Sequence, residues 1–181
     1  DTKAADTDNF MLEMVQVLPG LYAMQRQFDK AICWGERVYG LYCIVRGEYA
    51  METIMFLRNL GTWYSFAGNW NLSSEALQKA YTQMCWQMGP THPMSVGILN
   101  SSIALYIEHE QYQKAIAMLE QAYDGFCKAY DPEDKAAVEL LWQVAECRVK
   151  AGEYQKAGEQ FIAVWKTQCR RLGKQHEETQ R

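Results

Sequence analysis

The chain has 181 residues and a formal net charge of −4, with 49% hydrophobic and 13% aromatic residues. That is core enough for one compact domain or one short solenoid without metal or disulfide staples. The acidic balance argues against nucleic-acid binding, which needs clustered Lys and Arg, and charges every few residues leave no stretch able to insert across a bilayer.

Asp1 to Asn9 is polar and acidic and reads as a disordered or frayed leader, without the basic and then apolar run of a secretory signal. Beyond it a 42-residue ruler orders the chain into copies at about 10–51, 52–93, 94–135 and 136–177. Phe28, Trp70, Tyr112 and Tyr154 are each 42 apart. Three of them open one signature: Phe28-Asp-Lys-Ala31, Tyr112-Gln-Lys-Ala115 and Tyr154-Gln-Lys-Ala157; the Trp70 copy has Ser73 in place of Ala. The ruler also collects Tyr22, Tyr64 and Tyr106, with Arg148 in the fourth copy, and Gly47, Gly89 and Gly173, with Asp131 in the third. Cys43, Cys85, Cys127 and Cys169 form a further rung. Repeats of roughly 20–50 residues mean stacked units that bury one continuous core.

In the first copy Pro19-Gly20 falls where the others have mid-helix residues, so that helix is kinked or begins late. The second copy has Gly61 at a close helix crossing and Gly68-Asn69 at the turn. The third is cleanest. Leu99, Ser102, Ile103 and Tyr106 share one face of a first helix, and Tyr112, Ala115, Leu119 and Ala122 mark the face of a second. That second helix stops near Tyr130, before Asp131-Pro132. The fourth repeats the plan with Leu141, Val144 and Ala145, a C-terminus at Ala151-Gly152, then Tyr154, Ala157, Phe161 and Val164. Second helices of about eighteen residues run roughly 27 Å. The small Ala115 and Ala157 let paired helices approach, and Tyr106, Tyr112 and Tyr154 fill the space around them.

Leu99-Asn100, Leu105-Tyr106, Tyr112-Gln-Lys-Ala115 and Ala122, with the Gly89-Pro-Thr-His-Pro93 linker, resemble the tetratricopeptide repeat in its 42-residue kinesin-light-chain-like form. The resemblance covers about residues 10–181. It implies an all-α, right-handed α-solenoid of about four stacked helix-turn-helix hairpins, with a concave groove lined by first helices. It also implies a non-catalytic adaptor or scaffold that binds a protein or peptide. The final linker, Leu172-Gly-Lys-Gln-His-Glu-Glu-Thr179, reads as leading to a further helix, so the chain is expected to be part of a longer protein whose other domains are also candidate partners.

On that geometry the groove is lined by Gln16 and Val17; by Met55, Arg58, Asn59, Thr62 and Phe66; by Asn100, Ser101 and Ala104; and by Glu139, Trp142, Gln143 and Glu146. Amides would pair with a peptide backbone while Trp142, Phe66 and Met55 offer apolar anchors. Glu139 and Glu146 favour a basic partner segment. Some tetratricopeptide domains clamp a C-terminal carboxylate with Lys, Asn and Arg. Here the matching positions hold Gln16, Gly20, Asn59, Gly97 and Ser101, and only Asn59 fits.

The cysteine rungs lie about a helix spacing apart, on the order of 10 Å, too far for disulfides, which need Cα atoms within about 7 Å. They read as small packing residues, with Cys33 and Cys147 buried off the ladder. Without Cys-x-x-Cys pairs or secretory context, the thiols indicate a cytoplasmic or nuclear protein. His92, His109 and His176 have no ligand-spaced partner, and no nucleophile–base pattern or phosphate loop occurs. No metal, cofactor or enzymatic activity is implied. The alternative of another class is a helical accessory or regulatory region of a larger enzyme or signalling protein, such as a NACHT or NB-ARC ATPase or a SET/MYND methyltransferase.

Overall fold

The structure is a computed structural model that describes residues 2–172, with side chains over 9–171; Gly173 and His176 of the final linker lie outside the described residues. Among the described residues there are nine helices and no strand. They are α1 (Thr2–Val15), α2 (Leu18–Met24), α3 (Phe28–Val45), α4 (Met51–Phe66), α5 (Trp70–Met88), α6 (Pro93–Glu108), α7 (Tyr112–Ala129), α8 (Lys135–Lys150) and α9 (Tyr154–Leu172). The ruler therefore marks a structural event. Phe28, Trp70, Tyr112 and Tyr154 are the first residues of α3, α5, α7 and α9, helices of 18 or 19 residues each.

All four hairpin turns are closed by the same main-chain hydrogen bonds. The N–H groups of Gln27, Asn69, Gln111 and Glu153 donate to the carbonyls of Tyr22, Tyr64, Tyr106 and Arg148 at 3.0, 2.8, 2.7 and 2.9 Å. One residue earlier, Arg26, Gly68, Glu110 and Gly152 donate to Ala23, Ser65, Ile107 and Val149 at 2.9–3.1 Å. This is the Schellman pair, which requires a left-handed residue just past the helix. Those residues have φ of 57°, 80°, 59° and 80° in chain order. Glycine adopts that region freely, so Gly68 and Gly152 announce their turns. Arg26 and Glu110 meet a steric penalty of about 1–2 kcal/mol there.

Linkers between copies are tied differently. Thr53 Oγ1 and Ser95 Oγ, 42 apart, each donate to a linker carbonyl, of Gly47 and Gly89, at 2.8 Å. The third linker lacks that glycine. Asp134 caps α8 instead, its Oδ1 accepting from the Ala136 N–H at 2.9 Å.

The chain divides into two compact units, Asp1–Ile98 and Leu99–Arg181. In the first, α3 packs against α1, α2 and α4, and α4 packs against α5. Leu12, Val38 and Phe56 form an interior cluster joined by Val15, Tyr42, Val45 and Trp63. The α4–α5 crossing is tight at Gly61. A Cβ there would lie 2.8 Å from Leu77 Cγ and 3.3 Å from Ala76 Cβ. In the second unit α8 packs on both α7 and α9, burying Ala115, Leu119, Ala122, Phe126, Val144, Ala145, Ala157 and Val164.

Three expectations change. Residues 2–9, read as a leader, are helical in α1. The helix docks Leu12 and Val15 on α3, a pairing that no property of the polar start foretold. The break at Pro19 comes as expected: α2 begins late, at Leu18, with the proline in its first turn, where a missing N–H costs nothing. Tyr154, expected to fill space beside Ala157, is 71% exposed, whereas Tyr106 is fully buried. Cys33, expected inside, is exposed; Cys147 is buried.

Candidate protein-interaction surface

On α4 Met55, Arg58, Asn59, Thr62 and Phe66 are all accessible and form a strip at three- and four-residue spacing opposite the buried Ile54, Leu57 and Leu60. The strip is partly self-organised. Thr62 Oγ1 donates back to the Arg58 carbonyl at 3.1 Å, and Arg58 Nη1 reaches Asn59 Oδ1 at 3.5 Å. At its end the half-exposed Phe66 ring stacks on Phe28 of α3, centroids 5.1 Å apart. Phe28 thus supports the candidate anchor from the neighbouring hairpin.

In the second unit Asn100 and Ser101 are exposed on α6. On α8, Glu139, Trp142, Gln143 and Glu146 share one face at i, i+3, i+4 and i+7. Both glutamates are exposed, and Trp142 and Gln143 are half-buried. The Trp142 ring meets Phe161 of α9 edge-on at 4.9 Å, the arrangement that aromatic quadrupoles favour. Sequence reasoning placed Phe161 on a core face but not its contact with Trp142. A pair on two helices carries no local spacing signal.

The polar contacts joining successive hairpins explain the odd residue on the tyrosine rung. Tyr64 Oη donates to Glu36 Oε1 at 2.6 Å, and burial, then that hydrogen bond, push its phenol well above the usual range. In the second unit Arg148 Nη2 donates to Glu120 Oε1. Each pair is 28 residues apart, and Glu36 and Glu120 are two repeat lengths apart. Arg148 therefore does the work of the tyrosine by reaching the same acceptor position with a charge. It also lies 3.7 Å from Glu153, which accepts from Gln113 Nε2 at 2.7 Å and pairs with Lys156 at 3.3 Å. The hydrogen bonds from Gln113 and Lys156 hold the Glu153 carboxyl below the ordinary glutamate range.

A cleft of about 240 Å³ opens beside Tyr64 over Leu57 and Leu60, edged by Glu36, Tyr39, Glu75 and Lys79. Its edge charges are largely engaged within the protein, Glu36 by Tyr64 and Lys79 by Glu48 at 2.5 Å. The cysteine rungs are half-buried free thiols. Each of the first three sits one turn after a tyrosine, Tyr39, Tyr81 or Tyr123, whose phenol is raised first by burial and then by a hydrogen bond to that cysteine. Burial also pushes the Cys85 thiol up, which keeps it protonated and unreactive at neutral pH. Among the described residues no three His, Cys, Asp or Glu side chains are placed to hold a metal, and no helix is long and apolar enough to cross a membrane.

No protein-family model and no curated protein sequence matches the chain. Solved structures do. A kinesin-light-chain-type protein of Podosopora anserina with nearly identical TPR-like repeats superposes with a TM-score of 0.61 at 19% identity, over 89% of this chain and 76% of that one. BtubC (BKLC) from P. vanneervenii gives a TM-score of 0.58 at 15% identity, over 92% of this chain and 66% of that one. The fold is TPR-like. At these identities the likeness is one of architecture, and it matches the all-α hairpin plan.

Proposed function

We propose that this TPR-like chain is a non-catalytic protein–protein interaction module that holds a peptide or partner protein on the open strips of its first helices. The observation that carries the reading is the α8 strip. Trp142 is held edge-on by Phe161 at 4.9 Å and shares its face with the exposed carboxylates Glu139 and Glu146. A ring already immobilised loses little freedom on binding, so more of its contact energy appears as affinity. The flanking carboxylates select a segment with Lys or Arg beside an apolar residue, either in a separate protein or in another domain of the same parent. Six free thiols suit a reducing compartment, cytoplasmic or nuclear.

Selection from a displayed random-peptide library, followed by calorimetry on the winners, tests this. Enrichment of a basic residue next to an aromatic or aliphatic one is expected. The double reversal Glu139→Lys, Glu146→Lys should weaken those peptides about tenfold, as two exposed charge contacts warrant, with helix content unchanged. Trp142→Phe, which keeps a ring against Phe161, separates the loss of an anchor from the loss of packing. Peptides that bind both variants as well as the parent chain would remove α8 from the site.

A further inference from the structure

Second helices hold the following first helix through fixed rungs of the ruler. On α3 three such rungs meet α4. The Phe28 ring stacks on Phe66, Glu36 accepts from Tyr64 Oη at 2.6 Å, and Tyr39 lines one cleft with Leu57 and Leu60. On α7 the rung of Glu36 is Glu120, which accepts from Arg148 of α8. Three repeat lengths beyond α3 the same rungs on α9 are Tyr154, Ile162 and Trp165. They are 71, 54 and 49% exposed, and their offsets of eight and eleven residues put them on one side of the helix. Between them, Gly158 stands where α7 has the buried Ile116, and a Cβ on Gly158 would meet nothing within 4 Å. Among the described residues, the surface that carries α4 on α3 and α8 on α7 is therefore open on α9.

We infer that this face of α9 docks an amphipathic helix of a partner protein, laid on it as α4 lies on α3 and α8 on α7. The chain's own interfaces thus show what kind of element covers such a face. They also set its chemistry. Ile162 replaces the carboxylate that receives Tyr64 or Arg148, so a phenol or guanidinium arriving there would lose its acceptor. The partner helix carries an aliphatic residue at that point instead. Gly173 to Arg181 holds no apolar side chain and cannot supply the cover. Nor does a second copy offer it: α4, α6 and α8 already bury their own apolar faces. Its α1 stops at Val15 and its α2 has seven residues, against 16 in each of α4 and α8.

The probes are two labelled synthetic peptides, the α8 sequence Lys135–Lys150 and its Arg148→Leu form, kept reduced. Each is titrated with the whole chain up to about 1 mM, a range suited to one short helix, and followed by fluorescence anisotropy. Saturable binding is expected, with the Arg148→Leu peptide at least ~5-fold tighter because its rival buries a cation without an acceptor. Ile162→Glu restores the acidic rung and should reverse that preference. Trp165→Glu should weaken both peptides at least ~10-fold by placing a charge in the apolar contact. Circular dichroism of both variants should match the parent, since both side chains are exposed. Four results would overturn the inference: neither peptide binds; both bind equally; Ile162→Glu leaves the preference unmoved; or the chain forms a dimer that Trp165→Glu abolishes, which assigns the face to a second copy.

Discussion

Gly61→Ala puts a methyl group into the tightest point of the α4–α5 crossing. An ideal Cβ falls 2.8 Å from Leu77 Cγ, 3.0 Å from Leu77 Cδ2 and 3.3 Å from Ala76 Cβ. Leu77 is 1% exposed and cannot swing into solvent, and the Ala76 methyl is fixed to its backbone, so the helices must separate by several tenths of an ångström. Overpacking of this kind costs about 1–3 kcal/mol. Against it stands the helix-propensity gain of alanine over glycine, about 1 kcal/mol. The net expectation is a loss of about 0–2 kcal/mol. Gly125→Ala in α7 is the matched control, since a Cβ there meets nothing within 4 Å, and it should gain about 1 kcal/mol. Urea denaturation followed by circular dichroism reads both as shifts of the midpoint in opposite directions at constant slope. If Gly61→Ala stabilised as much as Gly125→Ala, the close crossing would not exist as described.

Glu110→Gly should stabilise by about 0.5–1 kcal/mol by relieving a left-handed residue, and Gly152→Ala, with open space around it, should cost about 1 kcal/mol through conformation alone; the same denaturation assay ranks them. Tyr106→Ala should cost about 3–5 kcal/mol through a cavity, whereas Tyr154→Ala, at the last aromatic position of the α3/α5/α7/α9 rung and 71% exposed, should change stability by less than about 0.5 kcal/mol. Glu153 has a folded pKa below its unfolded value, so its contribution is present above the ordinary glutamate pKa and is lost as pH falls through the lower folded value. The stability difference between the parent chain and Glu153→Gln should therefore shrink across that acidic window and stay level above it.

Much of this fold was legible because the ruler follows events that recur in space. An aromatic opens each second helix, and a small residue three positions on meets the neighbouring helix. The all-α hairpin plan and the lengths of the second helices came directly from those two facts. What escaped has physical reasons. Arg26 and Glu110 occupy left-handed turns without the glycine that advertises them, because the flanking hydrogen bonds and hairpin packing hold the turn regardless. α1 hid behind a polar start, its docking residues Leu12 and Val15 being too few to show a period. The strip on α8 could be drawn from spacing alone, but the support of Trp142 by Phe161 could not, nor could the replacement of a tyrosine–glutamate contact by Arg148 and Glu120.

The four turns are closed by peptide groups and not by side chains, and this decouples the shape of a repeat from its spelling. A residue at such a corner can drift from glycine to arginine or glutamate for a modest penalty while the geometry persists. Copies that began alike can then diverge until little but spacing betrays their kinship. Architecture outlasting vocabulary in this way is consistent with a chain that superposes on solved structures at under one-fifth identity while no family model matches its sequence.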